Sequence, residues 1–272
     1  PSPRPPRRMT YRELLIRSVE TRRSHLCVGL DPLPEKIAGP VADFLRRVIG
    51  ETAAYASAYK PNIAFFEAIG SEGYRLLEGL RDLIPAGTPL ILDAKRSDIP
   101  STQAMYAQAY FHGIRADAVT LNALLGRDSL QPFLGDETKG VYLLGLTSNP
   151  GAADFLAQKL GDRPLWQAFV ELCTDPSLGP ATMGAVMGLT RQNAADFAAL
   201  PDIPLLIPGL GAQGGDAEAL SGLGACRAPW LVNASRSILY PAGGPAHIAR
   251  AADEFRRTIN RAAGRFPDHH HE

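Results

Sequence analysis

Cysteine is scarce in this chain. Three residues in 272, Cys27, Cys173 and Cys226, stand far apart with no paired spacing. An odd, scattered set excludes a disulfide framework and fits a reducing compartment, so a cytoplasmic location is expected. No Cys or His pair has zinc-site spacing, and no metal is expected. Net charge is missing too, with 28 Lys+Arg against 28 Asp+Glu. A balanced chain carries no global electrostatic footprint for nucleic acid or an anionic membrane, and neither partner is expected. Long apolar runs are absent: Val141 to Leu146 falls far short of the ~20 residues that span a bilayer. The basic opening, Pro1 to Arg8, has no apolar run behind it, so it does not read as a secretory signal. The His tract 269–271 carries no functional argument.

What is present is an ordinary globular composition, 45% apolar and 21% charged, long enough to bury a sizeable core. Residues 1–9, rich in Pro and Arg, read as a disordered tail, 267–272 as a second tail, and 10–266 as one domain. Within it, short runs rich in Val, Ile and Leu recur near 25–30, 55–60, 89–94, 117–121, 141–146, 184–188, 203–207 and 230–234. Helical periodicity fills the gaps, for example Tyr11 to Thr21, Val41 to Ala54, Tyr74 to Ile84, Thr102 to His112, Trp166 to Cys173 and Pro245 to Ala263. Strands separated by helices predict a parallel sheet, because parallel neighbours need a crossover. Eight such units predict an α/β fold of the single (β/α)8 barrel type, with a doubly wound open sheet as the competitor. The runs end in Asp31, Lys60, Lys95, Asn122, Ser148, Gly209 and Arg236, all polar or glycine, at the end where barrels keep their active sites.

The third run reads Leu90-Ile91-Leu92-Asp93-Ala94-Lys95-Arg96-Ser97-Asp98-Ile99. Strand side chains alternate faces, so Asp93 and Lys95 point the same way, above Ile91, while Leu90, Leu92 and Ala94 face the helices. A lone Asp-x-Lys is more often a structural ion pair. Here the second run ends in Tyr59-Lys60-Pro61-Asn62 and brings another lysine to the same rim, with Asp98 just past the third. Two lysines and two aspartates are costly to desolvate unless they alternate, and such clusters are more often functional than structural.

The seventh run ends in Pro208-Gly209-Leu210-Gly211-Ala212-Gln213-Gly214-Gly215-Asp216, and the eighth in Asn233-Ala234-Ser235-Arg236-Ser237. Barrels often bind phosphate with these two loops. Glycines let backbone N–H groups approach an anion, a helix starting near Asp216 would add its dipole, and Arg236 offers a forked contact. A dinucleotide fingerprint would lie in the first βα turn, which reads Gly29-Leu30-Asp31-Pro32-Leu33-Pro34 and lacks it.

Taken in order, Leu26-Cys27-Val28-Gly29-Leu30-Asp31-Pro32, Lys60-Pro61-Asn62, Asp93-Ala94-Lys95-Arg96-Ser97-Asp98-Ile99, Pro208-Gly209-Leu210-Gly211-Ala212-Gln213 and Ser235-Arg236-Ser237-Ile238 resemble the orotidine 5′-phosphate decarboxylase family. The resemblance runs from about Leu26 to Tyr240. The segment Leu146-Thr147-Ser148-Asn149-Pro150-Gly151 is similar to its longer bacterial, mycobacterial-like subgroup. The Asp-x-Lys-x-x-Asp element alone is shared with related barrel decarboxylases and aldolase-like synthases; the five motifs together are specific. Ser97 and Pro100 stand where the family commonly has Gly. Pro100 suits a first helical turn and restricts Ile99 to extended backbone.

The resemblance implies decarboxylation of orotidine 5′-monophosphate to uridine 5′-monophosphate in pyrimidine synthesis, with no cofactor. It implies Lys95 as proton donor to C6 and Asp93 beside the substrate carboxylate, between Lys60 and Lys95. Asp98 would come from the other subunit of a homodimer, with Ile99 and Thr102 travelling with it. Asp31 and Lys60 would contact ribose hydroxyls, and Ser148 the pyrimidine edge. Pro208 would flank the substrate, and Gln213, Gly214, Ser235 and Arg236 would hold the phosphate. The segment Asn149 to Asp162, carrying Gly151 and Gly161, is expected to form a lid. Two competing readings are a magnesium-dependent sugar-phosphate decarboxylase or synthase of the same barrel superfamily and a catalytically silent nucleotide-binding barrel.

Overall fold

A computed structural model describes residues 7–210 and 217–267, with nothing to be said of the side chain of residue 191. Eight strands form one parallel sheet: β1 Leu26–Gly29, β2 Ala58–Lys60, β3 Ile91–Arg96, β4 Ala118–Leu121, β5 Gly140–Leu144, β6 Thr182–Val186, β7 Leu205–Pro208 and β8 Trp230–Ala234. Their spatial order is β2-β1-β8-β7-β6-β5-β4-β3. The two ends meet through parallel bridges between Tyr59 and Leu90 and between Asn62 and Asp93. Sequence neighbours are therefore spatial neighbours all the way round, which is the singly wound (β/α)8 barrel and not the open doubly wound sheet.

Two-residue alternation sorts the strand residues into two apolar sets. Leu26, Val28, Leu92, Val119, Val141, Leu143, Ala185, Leu205, Ile207 and Val232 join the large outer core between sheet and helices. Cys27, Ala58, Ile91, Ala118, Tyr142, Val186, Leu206 and Leu231 fill the barrel interior. Ile91 lies inside while Leu90, Leu92 and Ala94 face the helices, as the alternation requires. The inner set is closed from below by the helix Tyr11–Arg22, whose Tyr11, Leu15 and Val19 complete it. Thr10 starts that helix with a capping box: its side chain accepts from the Glu13 N–H, and the Glu13 carboxylate accepts from the Thr10 N–H. Such a cap contributes about 1 kcal/mol.

Some local structure departs from the sequence period. The helix expected over 102–112 runs Pro100–Gln108 and passes into a wider turn, Ala109–Gly113. That turn buries both Tyr110 and Phe111, and the Tyr110 hydroxyl accepts from Arg96 Nε at 2.7 Å. Pro100 occupies the first turn and Ile99 is extended (φ −65°, ψ 157°), as the proline demands. The segment after β5 carries a short 3-10 turn, Pro150–Ala153, and a two-stranded ribbon, Lys159–Leu160 with Arg163–Pro164, around Gly161 at φ 68°. Among the described residues no helix is long and apolar enough to cross a membrane.

The barrel floor depends on one glycine. The Tyr11 ring meets Tyr142 edge-on, with hydroxyls 3.1 Å apart, and lies so close to Gly140 that an added Cβ would come within 2.3 Å of it. Gly140→Ala is therefore expected to displace the Tyr11 ring and destabilise the protein by roughly 1–3 kcal/mol, the usual cost of overpacking a core. Urea unfolding measures it, and an unchanged midpoint would show that the floor tolerates displacement.

Candidate active site

The C-terminal end of β3 is irregular, and the irregularity builds the site. Leu92 pairs with Val119 but Arg96 with Leu121, so four steps along β3 match two along β4. Lys95 takes up the excess with φ 50°, a left-handed conformation uncommon for a residue with a Cβ. The N–H groups of Ala94 and Lys95 both donate to Thr120 Oγ1, at 3.0 Å each. The same hydroxyl donates to Asp93 Oδ1 at 3.0 Å, so its one proton and two lone pairs are all used.

Asp93 lies at the centre. Its Oδ2 accepts from Lys60 Nζ at 2.7 Å, and its Oδ1 accepts from Lys95 Nζ as well as from Thr120. Asp93 and Lys60 are almost wholly buried, with side chains 10% and 7% exposed, whereas Lys95 is 45% exposed and faces the open cavity. Burial alone would push the Asp93 carboxyl up; the charges of Lys60 and Lys95, with their hydrogen bonds, outweigh it and hold the group well below the usual carboxylate range. Burial would likewise lower Lys60, but Asp93 and then Asp31 raise it above an ordinary lysine. Lys60 is held at the bend Lys60-Pro61-Asn62. There Leu30 N–H donates to the Lys60 carbonyl at 3.1 Å, Asp93 N–H to that of Pro61 at 2.9 Å, and Asn62 N–H to Asp31 Oδ1 at 3.1 Å. Tyr240 ties the Asp31 loop after β1 to the segment after the neighbouring strand β8: Leu33 N–H donates to its hydroxyl at 2.6 Å, and that hydroxyl donates to the Asp31 carbonyl at 3.4 Å.

Above this array opens a cavity of about 730 Å³. It brings together Lys60, Asp93, Lys95, Ser148 and Pro208, and its far wall carries Phe155 and Leu156. A second hollow, about 760 Å³ and bordered by Ser237, His247 and Arg250, carries none of these residues. Asp31 adjoins Lys60 through the Asn62 bend. Asp98 does not join the array of its own chain: its Oδ1 accepts from the Ile99 N–H at 2.7 Å, and it makes no ion pair among the described residues. Ile99 is 58% exposed beside it, and Thr102 follows on the helix Pro100–Gln108. Ser235 is half-buried and Arg236 exposed at the start of a short helix, Arg236–Leu239, with no ion pair for Arg236 among the described residues. Gln213 and Gly214, with the helix start at Asp216, lie outside the described residues. No group of three or more His, Cys, Asp or Glu among the described residues could hold a metal ion.

Thr120 and Tyr240 are parts of the site that the motifs do not contain, while Asn122 and Asn233 stand in the run ends but are given no role there. For two of them a signal exists. Ala118 faces the barrel interior, so Thr120 and Asn122 share its face and rise toward the mouth.

A closed (β/α)8 barrel with a Lys–Asp–Lys array at its C-terminal mouth, where barrels keep their active sites, defines the class of (β/α)8 barrel enzymes. The chain belongs to the orotidine 5′-phosphate decarboxylase/HUMPS family, whose profile matches residues 24–252. An orotidine 5′-phosphate decarboxylase of Roseiflexus sp. (strain RS-1) is 42% identical over 269 residues, covering 93% of this chain and 98% of that protein. One of Delftia acidovorans is 39% identical over 278 residues, covering 94% and 99%. Among solved structures, a putative orotidine-monophosphate-decarboxylase from Toxoplasma gondii superposes with a TM-score of 0.84 at 34% identity, covering 94% of this chain and 97% of that one. A Leishmania donovani UMP synthase gives 0.82 at 36% identity, covering 94% of this chain and 57% of the longer one.

Removing Asp93 would leave two ammoniums facing each other, one of them buried. Asp93→Ala is expected to cost about 3–5 kcal/mol in urea unfolding, the range for breaking a buried pair from one side. Because the Asp93 carboxyl is depressed, its contribution is present above about pH 4 and fades as the pH falls below that value. Asp93→Asn should therefore flatten the acid limb of the stability profile; an unaltered limb would show that Asp93 is not the group responsible.

Proposed function

We propose that this carboxy-lyase converts orotidine 5′-monophosphate to uridine 5′-monophosphate without a cofactor, as a step of pyrimidine nucleotide synthesis. The observation that carries the reading is the half-exposed Lys95 ammonium, anchored through the buried Asp93 and presented to a cavity of nucleotide size. In the reaction the C6–carboxylate bond breaks, carbon dioxide leaves, and the electron pair stays on C6. Lys95 Nζ supplies the proton that forms the new C6–H bond, and the lysine is reprotonated from solvent. Its charge also lies where negative charge develops, in a pocket whose donors are fixed before substrate arrives.

The remaining parts take the roles that the family resemblance implies. Asp93 meets the substrate carboxylate between Lys60 and Lys95, and Asp31 with Lys60 takes the ribose. Ser148 meets the pyrimidine edge beside Pro208. Arg236, exposed at the end of β8, takes the phosphate together with Gln213, Gly214 and Ser235. Binding energy from that remote phosphate offsets the cost of holding the pyrimidine against the charges. Asp98 serves the site of a second copy, so the active form is a homodimer. Ile99, Met105 and Leu124, all more than half exposed beside the mouth, are the apolar surface such a partner would cover. The segment 149–162, whose Phe155 and Leu156 line the cavity, acts as the lid.

The test is turnover of orotidine 5′-monophosphate by the purified protein in excess EDTA, followed by the ultraviolet change. Robust turnover is expected, and it would exclude the magnesium-dependent sugar-phosphate chemistry. Lys95→Ala should lose about 10²- to 10⁴-fold in kcat, as removal of a positioned proton donor does, with the chain still folded. Turnover that survives this change would refute the assignment. For the lid, limited proteolysis within 149–162 should slow when a tight nucleotide is bound, and unchanged cleavage would sink that part of the reading.

A further inference from the structure

One charged side chain breaks the pattern of the barrel's outer face. The outward positions of β3 are Leu90, Leu92 and Ala94, all buried against the helices, and the next position of that parity is Arg96. An apolar residue would continue the series. Instead a guanidinium stands there, its side chain only 25% exposed and held on three sides. Its Nε donates to the Tyr110 hydroxyl at 2.7 Å and its Nη2 to Glu67 Oε1 at 2.7 Å, and its central carbon lies 5.0 Å from the centre of the Tyr106 ring. Tyr106 and Tyr110 stack on each other, with 5.7 Å between centres.

The segments that meet at Arg96 are those that carry Lys60, Lys95 and Asp98. Arg96 follows Lys95 directly. Glu67 ends the short helix Ile63–Glu67, which starts at the Lys60-Pro61-Asn62 bend. Tyr106 and Tyr110 lie on and just past the helix Pro100–Gln108, which starts behind Asp98 and Ile99. The main chain of Arg96 is fixed as well: its carbonyl accepts from the Asn122 N–H at 2.9 Å, and it re-enters register with Leu121 after the slip. Lys95, at φ 50°, therefore sits between two fixed points. Thr120 grips it from inside the barrel through the Ala94 and Lys95 N–H groups. Arg96 grips the residue after it from outside. A left-handed residue bearing a Cβ persists only where its surroundings over-determine it. A strand end that regained regular pairing would change register, and a change of one residue turns a side chain to the opposite face.

On the reading that Lys95 is the proton donor, we propose that Arg96 is a positioning residue of the reaction: from outside the barrel it locks the left-handed turn that presents the Lys95 ammonium to the cavity. Arg96 does not itself line that cavity, so it acts on catalysis only through Lys95.

Steady-state turnover of orotidine 5′-monophosphate tests this, with amide hydrogen exchange beside it. Arg96→Met keeps the apolar stem and removes the forked donor. It is expected to lower kcat roughly 10- to 100-fold, the cost of displacing a reacting group by about 1 Å. KM and the affinity for uridine 5′-monophosphate should change less than about 3-fold, because ground-state binding is not what is lost. In a Lys95→Ala background the same substitution should cost less than about 2-fold, since the group it positions is gone. Tyr110→Phe, which keeps the ring and removes one acceptor, is the second variant should Arg96→Met fail to fold; for it a kcat loss of roughly 3- to 10-fold is expected, the worth of one hydrogen bond. Exchange of the Lys95 amide reads the turn without turnover, and its protection should fall in Arg96→Met. An unchanged kcat or an unchanged amide protection would overturn the proposal, as would an equal loss with and without Lys95, which would mark Arg96 as merely structural. A wild type that binds uridine 5′-monophosphate but does not turn over orotidine 5′-monophosphate would instead remove the proposed reaction, and the exchange measurement would then decide alone whether Arg96 holds the turn.

Discussion

One carboxylate shared by two ammoniums is the constraint on which the mouth of the barrel depends. Asp93 and Lys60 are both withdrawn from water, and neither charge is tolerable there alone. Pairing them ties β3 to β2, the seam at which the barrel closes, and the bridge between Asn62 and Asp93 lies at the same level. The seam is therefore fixed by the same groups that line the cavity. Lys95 is brought to the second carboxylate oxygen by the slipped pairing of β3 and β4, and the left-handed residue this requires is the lysine itself. Backbone strain of that kind persists only where the surroundings over-determine it. Here Thr120 supplies the determination, by accepting from two backbone N–H groups and donating to Asp93.

The lower half of the barrel provides the rigidity that such an arrangement needs. Inward side chains below the charges are apolar, and the helix Tyr11–Arg22 seals them from beneath. Its Tyr11 reaches Tyr142 across the strand end only because Gly140 leaves room. The polar residues begin one inward step higher: Lys60 above Ala58, Asp93 above Ile91, Thr120 above Ala118, Asn233 above Leu231. A packed floor under a charged mouth lets the ammonium and carboxylate positions be set before any ligand arrives.

Much of this was legible from residue order. Short apolar runs alternating with helical periods point to parallel strands, and eight of them in this length favour the barrel over the open doubly wound sheet. The face of Asp93 follows from a period of two. The outward set of β3 was equally readable, since Leu90, Leu92 and Ala94 differ from Ile91 only in parity. What could not be read is anything that depends on a register shift. Strict alternation puts Lys95 on the right face, but it contains neither the left-handed turn nor the two freed N–H groups that make Thr120 necessary. Tyr240 was hidden for another reason: it works through its hydroxyl on a loop more than two hundred residues away in sequence, and no local pattern carries such a contact. The wider turn at Ala109–Gly113 likewise answers to Arg96, a tertiary demand that overrides the helical period.

The charge count of one chain argues for what completes the site. Lys60, Asp93 and Lys95 together leave one positive charge, concentrated on the exposed lysine. A ligand carboxylate placed there would be attracted to Lys95 and repelled by Asp93 a few ångströms away, so position along the array decides the sign of the interaction. A second aspartate supplied by a partner copy would bring the array to neutrality before substrate enters. The substrate carboxylate would then add an excess negative charge that departs with carbon dioxide, while the ammonium beside C6 remains. Asp98, whose Oδ1 accepts from its own Ile99 N–H and which forms no ion pair among the described residues, would be available for that part in the site of another copy. On the proposed reading the electrostatics of the site and the assembly state are linked, because a partner's aspartate would complete the alternation that Lys60, Asp93 and Lys95 begin.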